Sequence, residues 1–302
     1  MNKKLGNPEQ IISAYELKFE QGIAKDNSVV LFHNGGLEVM FSKSNGLDIL
    51  YLKYNGKNIS FLSKNGINDD SKEFIKRFEA GFLYTCGMDC ISDCVQGKPM
   101  HGSIHITPAE QVSVLVDERK VTITGIVKDS ALFGKNLILR RHFEVYDNRV
   151  EINDTIENKA FVDDEYVMLY HVNYGYPFLD EDLEIKMDLI KSVGRTPFAE
   201  QGLSEQFKIT PPVDGGEEMC FYNYLNEGKI ELINKKLGVA VQMDYDMTAL
   251  PLNIMWKSMV SGDYALGIEP TTSIFEDAFK MTPIKQGAKQ DFKLCIKFSE
   301  TK

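Results

Sequence analysis

The sequence predicts an all-β protein, a large sandwich or barrel of antiparallel strands with a few short helices. Apolar and polar residues alternate over many short stretches, spaced about 8 to 12 residues apart as in sandwiches and barrels. Helical periodicity is confined to residues 71–81, 202–207 and 273–279. These segments do not alternate regularly with strands, so a doubly wound parallel sheet is disfavoured.

The alternation is clearest in residues 120–127 (KVTITGIV). A strand there places Val121, Ile123 and Gly125 on one face and Thr122, Thr124 and Ile126 on the other. Residues 137–146 and 149–158 also alternate, and the Asp147-Asn148 pair between them predicts a β-hairpin. The other predicted strands are 28–32, 37–41, 47–54, 111–118, 165–172, 229–235, 239–245 and 292–298. No repeat or Pro/Gly-rich linker divides the chain, so we expect a single domain over residues 1–302.

Composition and charge exclude several classes of partner. With 43% hydrophobic and 26% charged residues, the chain can form a sizeable core. A net charge of −10 opposes nucleic acid binding, and basic pairs such as Arg140 and Arg141 face opposite sides of a strand. No apolar run approaches the length of a membrane span, and the N-terminus lacks a secretory signal. We therefore expect a cytoplasmic protein without nucleic acid or membrane partners.

The cysteines raise the question of a metal site. Cys86, Cys90 and Cys94 recur every four residues and precede His101, and thiolate and imidazole are the ligands that zinc prefers. Structural zinc sites, however, usually use C-x2-C pairs, which are missing here. An odd number of cysteines without an export signal indicates reduced thiols. The motifs for dinucleotides, nucleoside triphosphates, hydrolase serines and zincins are also absent, so we expect neither a metal nor a cofactor.

Three segments carry candidate chemistry, PMHGSIH at 99–105, YHVNYGYP at 170–177 and YALGIEP at 264–270. They supply His101, His171 and Glu269, which suffice for acid and base work on a small neutral molecule. The alternative for His171 is a core histidine bonded to the backbone. The alternative for Glu269 is a solvent-exposed carboxylate at a strand end.

These segments, with TCGMD at 85–89 and MHGSIHITPAE at 100–110, resemble those of the galactose mutarotase (aldose 1-epimerase) superfamily. The closest resemblance is to its poorly characterised bacterial aldose 1-epimerase-like branch, and it extends from about Gly35 to Phe298. It implies a large antiparallel β supersandwich that binds a monosaccharide or sugar derivative on a concave sheet face. The implied activity is cofactor-independent interconversion of α and β anomers.

The resemblance also implies a role for each candidate. Glu269 corresponds to the base that takes the proton of the anomeric hydroxyl, His171 to the acid at the ring oxygen, and His101 to a second histidine that supports that oxygen. Such a pair predicts a bell-shaped pH dependence, falling at low pH as Glu269 is protonated and at high pH as His171 is deprotonated. The implied sugar-binding residues are Arg77, Asn173, Tyr176 and Trp256, with Tyr174 and Lys257 as further candidates. His105 lies four residues after His101, so on a strand both would share one face and reach the ligand; the alternative is a surface role.

The substrate is not specified by these residues, and two other functions are possible on the same scaffold. The family's second acidic residue has no clear counterpart, although Asp214 and Asp244 are candidates. A glycoside hydrolase on the same scaffold would need two carboxyl groups about 5 to 5.5 Å or about 6.5 to 9.5 Å apart. Only Glu269 stands out for such a pair, with Asp89 as a conceivable partner. The other alternative is a non-catalytic carbohydrate-binding protein.

Overall fold

The computed structural model describes residues 3–68, 73–92, 97–117, 119–275 and 279–301. It is about 53% strand and 5% helix, which confirms the predicted all-β class. The first strands are β1 (Ser13–Lys18), β2 (Ser28–His33), β3 (Leu37–Ser42), β4 (Ile49–Tyr54), β5 (Lys57–Asn58), β6 (Leu83–Gly87), β7 (Glu110–Val116), β8 (Val121–Ser130), β9 (Asn136–Val145) and β10 (Arg149–Asn158). They are followed by β11 (Asp164–Tyr166), β12 (Met168–Gly175), β13 (Leu183–Gly194), β14 (Met219–Asn234), β15 (Val239–Tyr245), β16 (Leu252–Val260), β17 (Asp263–Thr271), β18 (Thr282–Ile284) and β19 (Lys289–Glu300).

The helices are shorter than the sequence predicts. They are α1 (Phe74–Arg77) and α2 (Pro197–Gln201), with 3-10 turns at Pro8–Gln10 and Leu203–Glu205. The helix predicted over 202–207 is therefore wrong in its bounds, because that segment contains only the 3-10 turn and α2 lies just before it. The α-helix begins earlier because the Thr196 side chain accepts a hydrogen bond from the Ala199 amide and Pro197 suits the first turn. Of the third predicted helix, residues 273–275 and 279 are not helical and 276–278 lie outside the described residues. None of the helices in the described ranges is long and apolar enough to cross a membrane.

All predicted strands overlap observed ones, and β9 and β10 form the predicted hairpin, with Val145 opposite Val150. The strand predicted over 165–172 is interrupted at Val167, between β11 and β12. The predicted strands did not include β1, β5, β6, β13, β16, β17 and β18. Residues of β6 are buried on both faces, as are most of those of β16 and β17, so these strands lack the alternation that identifies a half-buried strand.

Apart from the β11-β18 pair and the run from β1 to β5, which joins β6 through β4, the strands form two runs of antiparallel pairs that share β14. One run is β7-β8-β9-β10-β19-β15-β14, and the other is β6-β12-β17-β16-β14-β13. The first part of β14 pairs with β16 and its last part with β15. The sheet therefore folds back on itself and encloses the core, where Tyr170 of β12 packs against Phe292 of β19 with ring centroids 6.2 Å apart.

A buried cluster of charged and polar side chains connects the two runs. Arg141 of β9 is fully buried and forms ion pairs with Asp48 at 2.6 Å and Asp154 at 3.1 Å. It also donates to the hydroxyl of Thr85 on β6, and the Tyr170 hydroxyl of β12 donates to Asp154. The cluster thus links β9 and β10 to two strands that carry the site described next.

Candidate active site

His171 and Glu269 meet on neighbouring strands. The register of β12 and β17, with Val172 opposite Ile268, places His171 opposite Glu269. Their side chains are 6% and 1% exposed, and His171 Nε2 lies 3.3 Å from Glu269 Oε1. Because strand residues alternate between faces, Val172 and Ile268 point into the core while the imidazole and the carboxyl occupy the opposite face.

His101 reaches the same face from the segment between β6 and β7. Its φ of +65° lies in the left-handed region, which is uncommon outside glycine, and Gly102 follows at +81°. A Cβ atom on Gly102 would lie 2.2 Å from the Cys90 carbonyl oxygen, so only glycine fits there. His101 Nδ1 lies 2.9 Å from the Ile91 carbonyl oxygen, and the ring centroid is 5.8 Å from that of His171. A neutral imidazole that donates through Nδ1 has Nε2 as its acceptor.

Gly267 leaves the space that the carboxyl group occupies. It lies two residues before Glu269 on the same face of β17 and opposite Trp256 of β16. A Cβ atom on Gly267 would lie 2.4 Å from Glu269 Oε1 and 3.1 Å from His171 Cε1. The glycine is therefore needed for this arrangement of the two side chains.

The three residues line one cavity of about 600 Å³. Its other lining residues are Glu73, Phe74, Ile75, Phe78, Met100, Arg195, Glu218, Cys220, Trp256 and Phe275. The indole N–H of Trp256 donates to Glu218 Oε2 at 2.7 Å, and the indole lies 5.5 Å from the His171 ring. The Arg195 guanidinium lies 5.2 Å from the Phe275 ring centroid.

Burial shifts the protonation of Glu269. It raises the pKa of the carboxyl well above the ordinary 4.5, the nearby Glu218 carboxylate raises it further, and Arg195 opposes both. Glu269 Oε1 has no hydrogen-bond partner in the described part of the chain, because its geometry with His171 is not that of a hydrogen bond despite the short separation. Buried polar atoms are normally paired. An unpaired carboxyl oxygen facing a cavity is suited to a polar ligand.

His171 is shifted in the opposite direction. Burial lowers the pKa of its imidazole well below 6.5, and a positive charge on His101 lowers it further, whereas Asn173 acts to raise it. Burial therefore favours the neutral form of both groups, with the proton of the pair on the Glu269 carboxyl rather than on the His171 imidazole.

Arg77 and His105 form a buried cluster with Tyr84 and do not line the cavity. The His105 Nε2 atom is hydrogen bonded to Arg77 Nη1 and to the Tyr84 hydroxyl. Burial lowers the pKa of His105 well below 6.5, and the charges of Arg77 and His101 add to this. Tyr84 is the cross-strand partner of His171. The cluster therefore supports the floor of the site from β6.

Other sequence-predicted residues also lie outside the lining. Asn173 is fully buried and donates to the carbonyl oxygens of Gly81 and His171. Tyr176 is 72% exposed at the surface, and Tyr174 belongs to the core. Of the predicted sugar-binding side chains, the structure brings only Trp256 together with the catalytic candidates.

Lys257 faces away from Trp256 and donates to the carbonyl oxygens of residues 205, 206 and 208. Asp244 accepts a hydrogen bond from Gln242 on β15, and Asp214 is exposed in a turn. Asp89 accepts a hydrogen bond from the Ser103 amide. None of these residues lines the cavity.

Glu218 and Arg195 were not among the residues predicted for the site. Glu218 immediately precedes β14 and lies two residues before Cys220, so the alternation of a strand would place both on one face. Extending the β14 prediction upstream from residue 229 could therefore have found Glu218. Arg195 follows β13, which was not predicted, and belongs to none of the motifs considered.

The cysteine pattern is only partly described. Cys86 and Cys90 are buried, whereas Cys94 lies outside the described residues. Cys90 Sγ donates to the Ser92 carbonyl oxygen at 2.6 Å. Within the described ranges, no three or more His, Cys, Asp or Glu side chains are grouped so that they could hold a metal ion.

Comparison with known proteins supports the fold and leaves the activity open. Residues 25–288 match the family described as "Domain of unknown function (DUF4432)". No curated protein matches the chain. A candidate aldose 1-epimerase from Klebsiella pneumoniae is similar in structure, with a TM-score of 0.88, 21% identity, and coverage of 96% of this chain and 84% of that one.

A galactose mutarotase-like protein from Clostridium acetobutylicum has a TM-score of 0.73 at 13% identity, covering 97% of this chain and all of that one. Galactose 1-epimerase from Lactobacillus acidophilus has a TM-score of 0.70 at 10% identity, covering 96% and 100%. At such identities the likeness establishes the fold alone. The predicted mutarotase-like β fold is thus confirmed.

Proposed function

The chain belongs to the DUF4432 family, and from that premise we propose that it is an aldose 1-epimerase-like isomerase, which interconverts the α and β anomers of a free aldose or a derivative. One observation carries the proposal. Glu269, His171 and His101 come from three distant parts of the chain and line a single cavity, with Glu269 and His171 3.3 Å apart. The fold shared with mutarotase-like proteins supports it.

The proposed reaction needs one base and one acid. The Glu269 carboxylate takes the proton from the anomeric hydroxyl, the carbonyl forms at C1 as the bond from C1 to the ring oxygen breaks, and His171 gives a proton to that oxygen. Rotation about the C1–C2 bond and reversal of these steps close the ring as the other anomer. No net proton is consumed. Each positioned proton-transfer group typically contributes about 10² to 10⁴ in rate.

Substrate binding would supply the ionised pair that this reaction requires. Burial by itself favours the proton on Glu269 over the proton on His171. A sugar whose anomeric hydroxyl donates to Glu269 and whose ring oxygen accepts from His171 stabilises the arrangement with the proton on His171. Burial of Glu269 Oε1 without a partner is consistent with such a ligand.

The direct test is anomeric exchange measured by NMR over a panel of free sugars. We expect exchange above the buffer rate for at least one sugar, and a fall of about 10² or more in Glu269→Gln and in His171→Asn. The matched controls are Glu165→Gln and His33→Asn, two exposed residues of the same types outside the cavity. If sugars bind but exchange stays at the buffer rate throughout, the protein is a carbohydrate-binding protein without this activity.

Glu218 favours one second candidate, a glycoside hydrolase. It places a second carboxylate in the cavity, where it raises the pKa of Glu269 as expected for a general acid. Aryl glycosides would test this reading, because hydrolysis releases a reducing end and a phenol whereas anomer exchange does not. Release of the phenol by the wild type that disappears in both Glu218→Gln and Glu269→Gln would favour the hydrolase.

A further inference from the structure

A second compartment adjoins the cavity that holds Glu269 and His171. It measures about 400 Å³ and shares five lining residues with the first, namely Phe74, Ile75, Phe78, Glu218 and Trp256. Its remaining walls come from two segments, 61–65 before α1 and 258–263 around the β16-β17 turn, together with Gly216. The two compartments therefore meet along these five residues, and Trp256 lines both.

Resting on the proposed function, we propose that this outer compartment is a subsite for a second sugar ring, so that the substrate is a reducing disaccharide or longer saccharide. Its reducing end would lie at His171 and Glu269, and the adjoining ring would lie beyond Trp256. Sites for drug-sized ligands measure about 300 to 1,000 Å³. The inner cavity of about 600 Å³ already has room for one ring, so a monosaccharide would leave the outer 400 Å³ unused.

The wall between the compartments suits a pyranose. The Trp256 indole is held by edge-to-face contacts with Phe61 at 6.1 Å and Phe78 at 6.3 Å. Its N–H donates to Glu218, so the remainder of the indole that lines the two compartments is apolar. A pyranose has an apolar face of C–H groups and a rim of hydroxyls. Small-molecule sites combine such apolar walls with a few placed polar groups.

The polar groups of the outer compartment favour a neutral ligand. Lys64 Nζ pairs with Asp263 Oδ2 at 2.7 Å, so its charge is already balanced. Glu218 adds a second carboxylate, and the described lining includes no other lysine or arginine. A phosphate would meet more negative than positive charge there. Hydroxyl groups, by contrast, can donate to the carboxylates and accept from the ammonium.

The test compares each disaccharide with the monosaccharide at its reducing end. Glucose is compared with maltose, cellobiose and lactose, and galactose with β-1,4-galactobiose, by NMR exchange. We expect kcat/KM for at least one disaccharide to exceed that of its monosaccharide by about tenfold or more. Val260→Trp, which fills the rim of the outer compartment, should lower this ratio about tenfold. The double variant Lys64→Ala/Asp263→Ala should lower it as well.

The matched control is Lys235→Ala/Glu184→Ala, which removes an exposed ion pair of the same 2.7 Å length outside both compartments and should leave the ratio unchanged. If every disaccharide is no better than its monosaccharide and the Val260 variant changes nothing, the subsite does not exist. Trp256 is the only tryptophan, so its fluorescence reports binding independently of turnover. Disaccharide binding about tenfold tighter than monosaccharide binding, without exchange, would support the subsite and overturn the isomerase. Equal affinity for disaccharides and monosaccharides, without anomeric exchange, would overturn both the subsite and the isomerase.

Discussion

At the scale of single residues, the proton shared by Glu269 and His171 fixes the expected pH dependence. The pKa of His171 is lowered and that of Glu269 is raised. The pair therefore takes up a second proton, on His171, only well below pH 6.5, and it loses its first proton, from Glu269, well above pH 4.5. The one-proton pair is the active form. As the pH increases, we therefore expect kcat/KM to rise when His171 becomes neutral and to fall when Glu269 ionises. Unshifted pKa values would assign the rise to Glu269 and the fall to His171.

The measurement is a pH profile of kcat/KM together with NMR titration of the imidazoles in the free protein. His171→Asn removes its own signal and so identifies it. An imidazole of His171 that titrates above 6.5 would contradict this order.

Glu269 should also reduce the stability of the fold. Its folded pKa is raised, so its favourable contribution is complete below pH 4.5 and is lost as pH rises through the folded pKa. Above pH 4.5 the unfolded chain gains more by ionising the carboxyl than the folded chain does. Glu269→Gln should therefore raise the free energy of unfolding by about 1 kcal/mol at pH 7, a size common among single stabilising substitutions.

Denaturant unfolding of wild type and Glu269→Gln from pH 4 to pH 8 measures this difference, which should grow with pH from about 4.5 upward. Glu165→Gln, an exposed control, should show no such growth. Equal stability of Glu269→Gln and wild type at every pH would mean that the carboxyl is not buried as described.

Gly267 gives a prediction about geometry alone. The added Cβ of Gly267→Ala would lie 2.4 Å from Glu269 Oε1, so the carboxyl must move. A displacement of about 1 Å can cost about 10² in rate, and we expect a loss of that size. Gly6→Ala is the control, since nothing lies within 4 Å of its Cβ position. Full activity in Gly267→Ala would exclude a catalytic role for Glu269 in its present position.

At the scale of strands, the neighbours Arg140 and Arg141 make a matched pair. Arg141 is fully buried with Asp48 and Asp154, whereas Arg140 is 46% exposed and pairs with Glu157 at 3.1 Å. Removing one partner of a buried ion pair costs about 3 to 5 kcal/mol because it leaves an uncompensated charge. An exposed pair is worth about 0 to 1 kcal/mol. Arg141→Met should therefore be severely destabilising and Arg140→Met nearly neutral in urea unfolding, and similar losses would contradict the buried cluster.

The strands also explain what the sequence could and could not predict. β8, β9 and β10 alternate because only one of their faces is buried, and their positions and hairpin were predicted. β6 is buried on both faces, so its pattern is lost. The segments holding His101, His171 and Glu269 could be recognised by their residues. Glu218 could have been found only by extending the β14 prediction upstream. Arg195 could not be recognised, because it follows the unpredicted β13 and reaches the cavity through the pairing of β13 with β14.

At the scale of the whole molecule, β14 bears on the prediction that the chain is one domain. One part of this strand pairs with β16 beside the cavity and the other with β15 in the opposite run, so neither run can unfold without disturbing the other. We expect one cooperative transition, with circular dichroism of the sheet and fluorescence of Trp256 at the cavity losing signal at the same denaturant concentration. If the fluorescence changed first while most strand signal remained, the cavity-bearing strands would form a separate unit. Saturating sugar should then raise only the midpoint seen by Trp256, whereas in a single domain it raises both midpoints together.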